Sequence, residues 1–278
     1  MSSVPIGYPL RNTNLENPMF HFSRICHLKC FFLGDCHITR RVFSCFHPSW
    51  NTSLLSSSPP SLLRPWNFRR MASGNGNTSP IVPQDFDYFL VLDFEATCLE
   101  NQKIEPQEVI EFPVLKVSGK TFQTEATFHQ YVEPQVHGVG EFCTRLTGIT
   151  RDMVKNQPTF ADTLKLFHIW MEKEGLIDPD IKFIFVTCGD WDLKTMLPSQ
   201  CAHFELPYHS YFRRWLNIKK AYATVTSHYP KGMMQMLEKL NIPHVGRHHS
   251  GIDDCRNIAN ILQALAHRRY KFKQTGSR

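Results

Sequence analysis

A chain of 278 residues, 42% hydrophobic and 20% charged, has the make-up of a folded globular protein with length for one or two domains. It holds no uninterrupted apolar run of the roughly 18 residues a spanning helix needs, which excludes a helical membrane span. The net charge of +6 sits in residues 1–84, which carry eight Lys/Arg against only Glu16 and Asp35. The remainder is balanced, so nucleic-acid binding there must use local patches rather than a global basic field.

Residues 1–84 are rich in Ser and Arg and poor in acids, with a loose tract at LLSSSPPSLLRPWNFRRMASGNGNTSP. This is the composition of a transit peptide and disordered linker, and it predicts an organelle address, chloroplast ahead of mitochondrion. Met71 offers a start for a shorter, cytoplasmic form. Cys26, Cys30, Cys36 and Cys45 interleave with His21, His27, His37 and His47, yet lack the paired spacing of a zinc knuckle. The five later cysteines, Cys98, Cys143, Cys188, Cys201 and Cys255, read as buried reduced thiols.

From Asp85 strands and helices alternate densely. DYFLVLDF, EVIEFPVLKV and TFQTEATFHQYV read as three strands, the last two joined by a turn at Gly119–Lys120. A short helix follows near 139–146. TFADTLKLFHIWMEKEG is a capped helix, with Thr159 as cap and Leu164, Phe167, Ile169, Trp170 and Met171 as its apolar side. IKFIFVTCGD reads as a central strand covered on both faces. DLKTMLPSQCAHF opens a helix that Pro198 kinks or ends, and GMMQMLEKL and DDCRNIANILQALAHRRYKF are the last two helices. Residues 85–278 are therefore one α/β domain, a mixed central sheet flanked by helices.

Acids gather where strands run out. Asp93 and Glu95, two apart, face one side of a strand end; in a dry site they repel unless a divalent cation lies between them. Taken alone, such a pair is as well explained by a solvated strand end. Asp190 and Asp192 stand where the FIFVT strand gives way to a helix, and either can serve as a helix cap. In GRHHSGIDDCRN the spacing of five joins both His248 to Asp253 and His249 to Asp254. Helical periodicity places Asp254 with Ile258 and Ile261 on the inward face and leaves Asp253 as an exposed first-turn acid.

Together VLDFEATC, a strand-end Trp-Asp and a His-x4-Asp opening the last helix resemble the DEDDh 3′–5′ exonucleases. The likeness is to their ERI-type (enhanced RNAi, histone-mRNA exonuclease-like) exoribonuclease branch. It runs through DFEATC at 93–98, EVIEFPV at 108–114, LTGIT at 146–150 and WDL at 191–193. It continues in WLNIKK at 215–220, MLEKL at 236–240 and GIDDCRNIA at 251–259. The resemblance implies an RNase H-like exonuclease fold and selects Asp192 and His249 from the pairs left open above. Asp93, Glu95, Asp192 and Asp254 would then hold two Mg²⁺ ions, with Mn²⁺ able to substitute, and His249 would act as general base. The implied reaction releases nucleoside 5′-monophosphates from RNA 3′ ends.

Further along the same likeness, Thr97 in DFEATC and Leu146 and Thr147 in LTGIT would contact the terminal nucleotide. Around Trp215, the cations Arg213, Arg214, Lys219 and Lys220 form a basic, aromatic-bearing segment suited to phosphate and base contacts. The other reading of that segment is a solvated amphipathic helix with Trp215 in the core. Animal members of the branch can carry an N-terminal SAP module, and 1–84 does not show its helical pattern. This favours structured RNA such as ribosomal or small RNA over a histone stem-loop as the expected partner. A DNA-directed exonuclease and a non-catalytic RNA-binding relative are the other readings; all five catalytic positions argue against the latter.

Overall fold

The computed structural model describes residues 81–278. The expectations for the presequence and for the Cys/His run at 21–47 lie outside the described residues. The sheet forms from β1 (Tyr88–Leu92), β2 (Glu95–Ala96), β3 (Val109–Ser118), β4 (Thr124–Tyr131), β5 (Phe183–Thr187), β6 (Arg214–Asn217) and β7 (Gly276–Ser277). β1 pairs antiparallel with β3 and parallel with β5, and β6 extends the parallel part beyond β5. β4 lies antiparallel on β3, and β7 antiparallel on β6. The helices are α1 (Glu141–Thr147), α2 (Arg151–Val154), α3 (Phe160–Lys173), α4 (Leu197–His203), α5 (Ile218–Thr226), α6 (Met233–Leu240) and α7 (Gly251–His267). None of the described helices is long and apolar enough to cross a membrane.

Alternation along the strands sorts the core into two layers. Phe89 and Val91 of β1 and Ile184 and Val186 of β5 pack with α5, α6 and α7 through residues such as Tyr222, Met236, Ile258 and Leu262. Leu90, Leu92 and Phe185 face the other way, against Phe160, Phe167 and Met171 of α3 and Leu197 of α4. The central strand is thus covered on both faces, as its continuous apolar run implied. Thr159 caps α3 by accepting from the Asp162 N–H at 3.2 Å. Ile169, assigned above to the apolar side of α3, is instead 58% exposed, because it lies two residues from Phe167 and so on the opposite face.

Three local features depart from the expected elements. The first strand does not run through Glu95: it stops at Leu92 and resumes as β2, which pairs with β3 at Glu95↔Glu111. Pro198 neither ends nor breaks its helix. It stands at the second position of α4, behind a π-helical turn over Asp192–Met196, where a missing N–H costs little. The Lys194 carbonyl accepts from the Arg278 guanidinium, and the Leu193 carbonyl from the Tyr208 hydroxyl at 3.4 Å. Finally, 214–217 is a strand, β6, followed by α5. Four residues are too few for periodicity to reveal a strand. The five described cysteines are free thiols.

Candidate active site

The β1–β2 interruption builds the site. Freed from the sheet ladder, the Phe94 N–H donates to Asp192 Oδ1 at 3.0 Å, which ties the strand end to the π turn. The π turn carries Asp192 at its first position, and α7 carries Asp254 in its first turn. Asp93, Glu95, Asp192, Asp254 and His249 all line one cavity of about 310 Å³. Carboxylate oxygens of Asp93, Glu95 and Asp254 lie within 4.8 Å of one another.

Neither Lys nor Arg lines this cavity. Like charges and burial therefore act on the acids with no lining Lys or Arg to offset them. Burial, then the charges of Asp192, Glu95, Asp254 and Glu111, hold the Asp93 carboxyl well above the ordinary range. Burial and the Glu111 charge push Glu95 up to about 9. Burial raises Asp192 to about 6 against the opposing Phe94 N–H, and Asp254 to about 6 against the His249 N–H. Asp254 Oδ2 accepts that N–H at 2.9 Å, whereas its Oδ1 is buried with no partner among the described residues. Orphaned acceptor oxygen, clustered carboxylates and the lack of a lining cation fit hard divalent ions. Asp254 also lies within reach of His248 and His249, but the set with Asp93 and Glu95 is the all-oxygen one.

His249 is held in an unusual pose. Its backbone is left-handed at φ 64°, its N–H is bound by Asp254, and its ring stacks on His248 with centroids 3.9 Å apart. Burial, with His248 and Arg247 nearby, lowers its pKa, so the neutral, proton-accepting ring predominates at neutral pH. Asp253 is a first-turn acid as foreseen, but half-buried rather than exposed, accepting from the Arg247 N–H at 2.9 Å and pairing with Arg256. Arg247 in turn donates to the Arg145 carbonyl at 2.7 Å, joining the His loop to the end of α1. Gly148, with φ 81°, leaves room for it: a Cβ there would lie 2.9 Å from Arg247 Nε.

Of the expected substrate contacts, Leu146 lines the cavity, but several others do not. The Thr97 hydroxyl is buried and accepts from the Glu108 N–H at 3.0 Å. Thr147 is buried too, its hydroxyl donating to the Cys143 carbonyl at 2.9 Å and accepting from the Ile149 N–H at 3.0 Å. Trp215 is a core residue of β6, 1% exposed, whose indole N–H donates to Asp190 Oδ1 at 2.8 Å. Lys220 pairs with Asp190 at 3.2 Å. Asp190 is thereby a structural acid, which leaves Asp192 to the cavity. Lys219 lies near enough for its charge to act on Cys188 in the wall, but its ammonium donates to the Lys231 carbonyl at 2.9 Å. Internal hydrogen bonds, invisible to spacing, thus occupy Thr97, Thr147, Trp215 and Lys220, and none of the four lines the cavity.

Glu111 is the residue that sequence reasoning missed. It is 1% exposed and accepts from the Gly251 N–H at 2.9 Å and the Ile252 N–H at 3.2 Å, with His129 Nε2 at 2.7 Å. The N-terminus of α7 is thus pinned to β3, setting Asp254 against Asp93 and Glu95. The approach is close: a Cβ on Gly251 would lie 2.7 Å from the Asp93 carbonyl oxygen. An acid inside the apolar EVIEFPV strand was the available signal. Trp191 and His248 were also passed over, and both line the cavity.

Comparison with known proteins agrees with this geometry. The exonuclease family profile (RNase_T) matches residues 90–262. The chain is 55% identical over 195 residues to ERI1 exoribonuclease 3 of Homo sapiens, covering 69% of this chain and 58% of that protein. It is 40% identical over 188 residues to 3′-5′ exoribonuclease 1 of Rattus norvegicus, covering 66% and 54%. The chain therefore spans little more than half the length of these relatives. Among solved structures, the nuclease domain of 3′hExo, a DEDDh family member bound to rAMP, superposes with a TM-score of 0.68 at 35% identity. That match covers 71% of this chain and all of the other.

Proposed function

The chain belongs to the exonuclease family, with an RNase H-like domain of the DEDDh type, and from that premise we propose that it is a 3′–5′ exoribonuclease. One observation carries the proposal: four carboxylates from the β1–β2 segment, the π turn and α7, with a histidine beside them, meet in a cavity that neither Lys nor Arg lines. The relatives at 55% and 40% identity are exoribonucleases by name, which supports RNA as the polymer.

Asp93, Glu95, Asp192 and Asp254 would hold two divalent ions, Mg²⁺ with Mn²⁺ able to substitute. Bound there, such ions supply charge relief on phosphoryl oxygens and acidify water. The protein's own groups do the rest. Asp192 is oriented by the Phe94 N–H and Asp254 by the His249 N–H, so two carboxylates from different elements keep fixed directions. The imidazole of His249, neutral at the working pH, takes the proton of the attacking water. Leu146 and the half-exposed Trp191 give the cavity apolar walls against which a terminal base and sugar pack. The product is a nucleoside 5′-monophosphate.

Full-length protein with end-labelled RNA and DNA of one sequence tests this. Mg²⁺ is expected to yield stepwise shortening from the 3′ end and mononucleotides, and EDTA to stop it. Metal-independent cleavage would refute the mechanism, equal rates on both polymers would remove the RNA assignment, and faster cleavage of DNA would favour the DNA-directed reading. The proposed substrates are the 3′ ends of structured RNA, ribosomal or small. The composition of residues 1–84 supports an organelle address, chloroplast ahead of mitochondrion. A fluorescent reporter carrying residues 1–84 is expected to enter plastids; one that stays in the cytosol removes the address.

A further inference from the structure

Beyond the cavity, four exposed cations follow one another along the surface. Trp191 is a wall residue of the catalytic cavity, and Lys194 lies three residues on, along the same turn. The Arg278 guanidinium donates to the Lys194 carbonyl, and the Arg278 N–H donates to the Arg213 carbonyl at 3.0 Å. The Arg213 guanidinium lies over the Tyr208 ring, 5.3 Å from its centroid, and the Tyr208 hydroxyl donates to the Phe212 carbonyl at 3.2 Å. Arg214 follows on β6, opposite Ser277 of β7. The Arg278 and Arg213 side chains are thus held in place before any ligand arrives.

None of the four pairs with a carboxylate among the described residues, whereas Lys220, Arg256 and Lys271 each do. Arg213, Arg214 and Arg278 also edge a hollow of about 990 Å³, whose lining holds one carboxylate, Asp178. At its rim Tyr211 stacks nearly parallel to His209, with centroids 5.0 Å apart, and His209 stacks likewise on His168. Unpaired cations in a row, ending at flat aromatic faces, match a single nucleic-acid strand, which offers regular phosphates and stackable bases.

We infer that Lys194, Arg278, Arg213 and Arg214 form a track for the backbone phosphates of the strand lying 5′ to the nucleotide being removed. The track leads from Trp191 toward the Tyr211–His209–His168 stack. This deepens the exonuclease reading and rests on it for the direction of the strand. Because the track touches phosphates and not sugars, RNA and DNA of equal length are held alike. It favours long substrates over short ones.

The test compares wild type with the double variants Arg213→Glu/Arg214→Glu and Arg213→Lys/Arg214→Lys. Binding of a labelled 20-nucleotide RNA is followed by fluorescence anisotropy in EDTA across a salt series. The Glu variant is expected to bind at least about tenfold more weakly, with the salt slope reduced by about one to two. With Mg²⁺, its KM for the 20-mer is expected to rise by about the same factor at retained kcat. A trinucleotide, which offers few phosphates beyond the cavity, is expected to change less than about twofold, and the Lys variant to restore most of the loss. An unchanged slope and KM on the 20-mer overturn the track. Equal losses on the trinucleotide overturn it too, because they place the damage in the cavity. Arginine-dependent binding by a protein that cleaves nothing would instead sink the nuclease reading and leave the track standing.

Discussion

Asp93→Asn is expected to lower exonuclease activity about a thousandfold or more, while making the metal-free protein more stable. Asp93 faces Glu95, Asp192, Asp254 and Glu111, all of which raise its pKa, and its carboxylate takes no protein hydrogen bond among the described residues. An amide there removes one repelling charge and sacrifices one ligand. The sign of the pH dependence follows. With their carboxyl pKa values raised, the folded protein binds more protons than the unfolded chain from about pH 4 upward. Stability without metal is fully present below that, and is lost as pH rises toward about 9, where Glu95 titrates. Melting scans at pH 5, 7 and 9 in EDTA should show wild type falling more steeply than the variant. Added Mg²⁺ should raise the wild-type melting temperature and scarcely move the variant. A variant less stable than wild type at pH 9 in EDTA would contradict the repulsive cluster.

His249→Ala is expected to reduce kcat by about a hundred to ten thousandfold while leaving the Mg²⁺-induced rise in melting temperature intact. The two readouts separate a lost base from a lost metal site. Because burial and the neighbouring charges lower the His249 pKa, the acid limb of the wild-type rate profile should lie below the ordinary histidine value of 6.5. Rate then falls only as pH drops through that lower pKa. His248→Ala should move the limb upward, since His248 disfavours the charged form of its neighbour. An acid limb unchanged in His249→Ala would assign the proton transfer elsewhere.

The continuous apolar runs FLVL and FIFVT and the helical face of α7 showed the sheet and the inward turn of Asp254 because both patterns record burial. Choosing Asp192 over Asp190 rested on resemblance; the structure supplies a physical reason, since Asp190 is taken up by Trp215, Asn217 and Lys220. Periodicity could not reveal β6, four residues long, or the break at Asp93–Phe94, which depends on a hydrogen bond 98 residues distant. Thr97, Thr147, Trp215 and Lys220 carry groups that suit a nucleotide, and only tertiary contacts show those groups already engaged. Glu111 was legible in principle, as an acid where the strand pattern calls for an apolar side chain.

The acidic pocket without Lys or Arg has a kinetic corollary. The 3′ end of a strand brings negative charge into a cavity that already carries four carboxylates. Where those acids are ionised they would repel the strand, so the proposed ions would be held before the strand is. On that reading chelation would do more than halt chemistry, because it would also disfavour seating of the terminal nucleotide. The outer arginines, which owe nothing to the ions, keep their grip on the strand. On the proposed reading, the protein stripped of its metals would hold ends instead of trimming them.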